Sequence, residues 1–227
     1  MRILLEGVVI VGSILLAFGI DAWWDEQQER SEGARILVAL ERDLVDTRAD
    51  LVNTVAEMEA VEDTIMLLLE HAAADEPVFA QERLHGLTQQ AFAIPAPEER
   101  LSTYEEVLGS GRLRLVQSDS LRLSLAILVK EVSDLHGWEE QLQQRWTSSE
   151  LPYLQNNVAI ADVFDGFFGV TFPESAPRGD GEFFSTFEFT KLISGRVVLI
   201  RIWQFNANNL LERLDQTLEL LRREASR

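Results

Sequence analysis

Between Gly7 and Ile20 the chain carries no charged side chain. A helix from Ile3 to Trp24 would be ~33 Å long at 1.5 Å per residue, against a bilayer hydrocarbon core of about 30 Å. Trp23 and Trp24 close the run, where indole rings favour the interface between lipid and water. Asp21, Asp25 and Glu26 then mark an aqueous side. The expectation is a membrane anchor over residues 1–24. A cleaved leader fits less well, because only Arg2 is basic and Ile20-Asp21-Ala22 is a poor small-x-small site. A buried core helix is the third reading, and the helices downstream form a complete set without it.

The flanks orient the anchor. Arg2 lies on the short side, whereas Asp21 to Glu29 is mainly acidic. The excess of basic residues on cytoplasmic flanks puts Met1 inside and the remainder outside. In a bacterium this means a single-pass inner-membrane protein with a periplasmic bulk. Ile3, Glu6, Ile10, Ser13, Ala17, Ile20 and Trp24 share one stripe of the helix. Glu6 can hydrogen-bond across a helix pair, and Ser13 and Ala17 allow close approach. These three residues are the expected membrane-helix interface, with another copy or with a partner. Against this stands Glu6 reaching interfacial water on its own.

Residues 25–34 read as a polar connector helix and residues 35–227 as an extracytoplasmic helical bundle. Leu37, Leu40, Leu44, Thr47, Leu51, Thr54, Met58, Val61, Ile65 and Leu68 alternate steps of three and four, a coiled-coil-like seam. A shorter helix follows over about 80–93, broken by Pro95 and Pro97. Ser102 or Thr103 then caps a second short helix ending at Leu108. Gly109 and Gly111 make a turn, and residues 112–116 form a brief extended or irregular link. Ser118 is a good N-cap for a second seam of Leu121, Leu125, Leu128, Val132, Leu135, Trp138, Leu142 and Trp146. Pro152 is expected to kink or end it. A third long helix spans about 190–224, with Ile193, Val197, Ile200, Trp203, Ala207, Leu210, Leu214, Leu218 and Leu221 on one face. The fold class is all-α: a transmembrane helix and an elongated antiparallel bundle of three long and two short helices. The first long helix runs outward, the second is expected to return and the third to run outward again.

Residues 160–189 lack periodicity and are rich in phenylalanine, as an ordered loop would be. Its rings either plug one end of the bundle or, through Phe167, Phe168 and Phe172, offer a surface to a partner. Arg112 and Arg114 either pair with carboxylates or form a docking point for an anion or an acidic partner.

The span ending GIDAWWDEQQER with the following ILVALERDL, the stretch STYEEVLGSGRLRLV and the closing LLERLDQTLELL resemble a bacterial family of single-span membrane proteins. That family has no assigned activity. The resemblance implies membrane anchoring and a helical extracytoplasmic domain, and no catalytic residues.

Chemistry is sparse. There are 20 Lys and Arg against 38 Asp and Glu, a net charge of −18, which repels phosphate backbones and makes nucleic acid an improbable partner. With no cysteine, disulfides and thiolate chemistry are excluded. His71, His85 and His136 are widely spaced, so no zinc motif forms. Acidic neighbours such as Glu105 and Glu106 point different ways on a helix. Neither a catalytic constellation nor a cofactor motif is present, and no cofactor is expected. The expected function is that of a non-enzymatic, membrane-anchored interaction or scaffold protein, self-associating or part of a membrane complex. The alternative is a periplasmic ligand-sensing module acting through a partner subunit, its small molecule left open.

Overall fold

The computed structural model describes residues 2–97, 101–158, 163–164, 171 and 182–226, with side chains from Gly12 onward. Among them there is helix and no strand. The long helices are α1 (Arg2–Ala73), α4 (Asp119–Arg145) and α6 (Phe187–Ala225). The short ones are α2 (Gln81–Ala91), α3 (Ser102–Gly109) and α5 (Leu151–Asn157). Residues 25–34, expected as a connector, continue α1 without a break. Among the described residues no helix is long and apolar enough to cross a membrane.

The chain forms two compact units. The first contains residues 1–46, 100–126 and 215–227, the second residues 47–99 and 127–214. All ten seam positions from Leu37 to Leu68 are buried, including Thr47 and Thr54. Within the helix the Thr54 hydroxyl donates to the Asp50 carbonyl at 2.9 Å, which satisfies a polar group at an apolar position. The nine apolar positions expected on the third long helix are buried as well.

In the first unit, α3 and the 3-10 turn Arg112–Leu115 lead the chain back along α1. Thr103 adjoins Asp43, Arg112 adjoins Glu32, and Arg114 adjoins Glu29. The leg turning back along α1 is thus built from short elements, not from the second long helix as the seams implied. Gly33 makes this possible, because a Cβ there would lie 3.0 Å from the Leu115 carbonyl oxygen. Gly111, at φ 70°, enters the 3-10 turn in the left-handed region open to glycine. The link expected to be extended or irregular is a 3-10 turn over Arg112–Leu115.

The cap on α3 also differs from expectation. Neither Ser102 nor Thr103 caps the helix with its own side chain. Asp43 on α1 accepts the Thr103 N–H at 2.9 Å and the Ser102 hydroxyl at 3.4 Å. Its carboxylate also lies at the positive end of the helix dipole. Asp43→Ala should cost ~0.5–2 kcal/mol, as loss of an N-cap does. Urea denaturation would show a lower midpoint with an unchanged slope. Ser118 behaves as expected and accepts the Leu121 N–H at 3.3 Å. Ser124 and Thr217 join hydroxyls at 2.7 Å inside this unit.

In the second unit α4 and α6 are antiparallel, since Glu131 pairs with Arg213 and Glu139 meets Trp203. At the end of α4 a single π turn, Trp146–Glu150, leads directly into α5. The break expected from Pro152 is a change of repeat: α4 ends at Arg145, and the π turn carries the helical path into α5, whose first turn holds Pro152. The π turn adds a residue to the local repeat and shifts the inward face. Glu150 and Leu154 become buried, and Trp146 is only half-buried. Trp138 is half-buried too, with its neighbour Glu139 taking the inward position.

Candidate functional site

The densest polar cluster lies in the second unit. Arg196 is 1% exposed and Glu150 is fully buried. Arg196 Nη1 donates to Glu150 Oε2 at 2.6 Å. Its Nε donates to the Ala91 carbonyl and its Nη2 to the Ala93 carbonyl, each at 2.8 Å. The guanidinium lies 5.1 Å from the centre of the Phe92 ring, within range of a cation–π contact. Glu150 Oε1 accepts Arg145 Nε at 2.7 Å, and Arg145 Nη2 reaches the Leu192 carbonyl at 3.0 Å.

Each element supplies one part. The π turn swings Glu150 inward, α6 carries Arg196, and the end of α2 presents carbonyls that no further helical turn satisfies. Gly195 leaves room for Arg145, since a Cβ there would stand 2.6 Å from Nη2. Burial pushes the Arg196 pKa down, Glu150 counters this, and the Arg145 charge adds to the lowering. Both carboxylate oxygens of Glu150 and all three guanidinium nitrogens of Arg196 have a partner, and both side chains are buried. The chemical role this arrangement supports is to fasten the end of α2 to α4 and α6.

Aromatic rings pack nearby. Phe184 and Phe189 are buried, with centroids 5.4 Å apart, and Phe183 lies 4.9 Å from Phe189. His85 packs at a tilt against Phe184 with centroids 5.7 Å apart, and Tyr153 against Phe183 at the same distance. These rings form an internal plug, whereas Phe187 is 74% exposed. Phe167, Phe168 and Phe172 lie outside the described residues. His71 has a structural place: its Nδ1 accepts the Val78 and Phe79 N–H groups and holds the turn after α1. Among the described residues no three His, Asp or Glu side chains are grouped to hold a metal.

In the first unit a groove of about 730 Å³ runs between α1 and α3, lined in part by Trp24, Gln28, Arg35, Val107 and Arg112. Arg112 bridges Glu32 at 3.1 Å and Glu106, and Arg114 reaches Glu29 at 3.1 Å. The two arginines thus face the same stretch of α1, and both are spent on carboxylates. Hydrogen bonding to Glu32, then to Glu106, raises the Arg112 pKa further. Arg35 and Arg42 are exposed and have no carboxylate partner among the described residues. Nothing in the sequence distinguished these two from the paired arginines. Ser13 and Ala17 are exposed on α1, and the side chain of Glu6 lies outside the described ones. No family model, curated protein or solved structure matches the chain.

Proposed function

We propose that residues 3–24 hold this chain in a bacterial inner membrane, amino terminus inside. On this reading the helical domain is a periplasmic, non-enzymatic interaction or scaffold subunit that self-associates. The observation that carries the reading is the character of α1 before Asp25. Ile14, Leu15, Leu16, Phe18, Ile20, Trp23 and Trp24 are all at least half exposed on one helix. Left in water, seven such side chains forgo on the order of 10–20 kcal/mol of burial. Lipid recovers that free energy, and the first unit, to which these side chains belong, leaves them uncovered. The uncharged run continues back to Gly7 in the sequence, with Ile3, Leu4 and Leu5 beyond Glu6. The resemblance to single-span bacterial proteins points the same way.

The scaffold half of the proposal rests on a polar cluster whose Glu150 and Arg196 are buried against each other and on helices whose inward faces are already packed. A ligand-sensing module acting through a partner subunit is the second reading. The groove beside Trp24 favours it, being within the ~300–1,000 Å³ of small-molecule sites. Carbonate washing of membranes from cells expressing the full chain tests the anchor. The protein should stay in the pellet with its first residues intact. Release into the wash, or a mature chain lacking residues 2–24, would overturn the anchor.

A further inference from the structure

The outward face of α1 carries a second periodicity that its own core does not use. Trp24, Ser31, Val38, Val45 and Val52 recur at every seventh residue, and all five are exposed. The same spacing runs back through Ala17, Ile10 and Ile3. The buried seam, from Leu37 and Leu40 onward, lies on the opposite side of the helix. A strict seven-residue repeat on a helix keeps one line facing a second helix that supercoils with it. Val38, at 67% exposure, is a poor choice for water alone.

The charges beside this line indicate what covers it. Arg35 and Arg42 follow Ser31 and Val38 by four residues and so border the same stripe. Both lack a carboxylate partner among the described residues, in a chain with 38 acidic groups. Glu41, three residues after Val38, borders the stripe on α1 and holds Arg222 at 2.7 Å in a surface pair. A second copy laid alongside in the same direction brings its Glu41, shared with Arg222, to the arginines. A groove of about 700 Å³ between this face and Thr103, lined by Ala34, Val38 and Arg42, leaves room for the incoming side chains.

We infer that the Ser31–Val38–Val45 face of α1, with Arg35 and Arg42 at its border, is the seam along which two copies of this chain pair in parallel. The inference deepens the scaffold reading and depends on the anchor only for the parallel direction. Apolar burial at Val38 and Val45 supplies attraction, and the arginines set direction and register more than affinity.

The absence of native cysteine makes the test direct. In membranes carrying the full chain, mild oxidation should link Val38→Cys and Val45→Cys into a species of twice 25.7 kDa. Leu123→Cys, exposed on α4, should stay unlinked. Equal linking at Leu123, no linking at Val38, or a linked product of another mass would overturn the seam. Val38→Asp with Val45→Asp should halve the mass of the full chain in mild detergent, and an unchanged dimer would also overturn it. Carbonate washing separates the two ideas. A chain that washes off overturns the anchor, and the Val38 linkage is then read on the released protein.

Discussion

Glu150→Ala should destabilise the second unit by about 3–5 kcal/mol, the loss that follows when one partner of a buried ion pair is removed. The alanine leaves Arg196 charged, 1% exposed and without its carboxylate. The carbonyls of Ala91 and Ala93 are dipoles and cannot neutralise it. Arg145 loses the same partner, so two cations are stranded together. In chemical denaturation the transition should move to markedly lower urea, and a separate early transition would show that the units melt apart. Glu150→Leu combined with Arg196→Met should recover only part of the loss, because it removes the buried charge pair but leaves Arg145 without its carboxylate and the Ala91 and Ala93 carbonyls without their donor. If Glu150→Ala left the midpoint in place, the buried pair would have no structural role and the cluster would need another account.

Trp203→Ala should cost about 3–5 kcal/mol through the cavity it opens. Trp203 is fully buried on α6, and its Nε1 donates to Glu139 Oε1 at 3.2 Å. The alanine also deprives Glu139 of a donor in a site that is 9% exposed. Trp203→Phe separates the effects, since it retains most of the volume and removes only the N–H. It should cost about 1.5–3 kcal/mol, as loss of one hydrogen bond to a carboxylate does. Near-identical midpoints for the two variants would show that cavity volume contributes little here. Thermal melts followed by circular dichroism would distinguish these results.

The helices were legible in the sequence because burial at steps of three and four is a local signal. The seam from Leu37 to Leu68 and the face from Ile193 to Leu221 follow from periodicity alone. The signal weakened where a backbone irregularity resets the count. A regular continuation of the α4 repeat would have turned Ser149 and Tyr153 inward. The π turn replaces them with Glu150 and Leu154, and no propensity marks a π turn in advance. Pro152 drew the eye as a breaker, although the helical path passes through it in the first turn of α5. Topology was hidden for a different reason. Seams tell which face of a helix is buried and leave open which helix lies against it. The return along α1 is fixed by Gly33 against Leu115 and by Asp43 at Thr103, contacts between residues far apart in the chain.

The polar cluster was least legible. The residues quoted for chemistry were histidines, paired glutamates and the arginines of the Gly111 turn. Arg196 and Glu150 sit in ordinary helical sequence, and only their burial marks them. Arg196 follows Gly195 in a short Ser-Gly-Arg run, and the Arg145 guanidinium lies over that glycine.

The unbroken passage of α1 through residues 24–37 has a mechanical consequence. A flexible joint there would let the N-terminal segment spin without disturbing Leu37 and Leu40. A continuous helix is torsionally stiff, so a twist imposed before Asp25 is handed on turn by turn to the residues that face the core. One extra residue inserted near Gln28 would rotate everything beyond it by about 100° relative to what precedes it. The azimuth of Ile14 and Phe18 is thereby geared to that of the first unit.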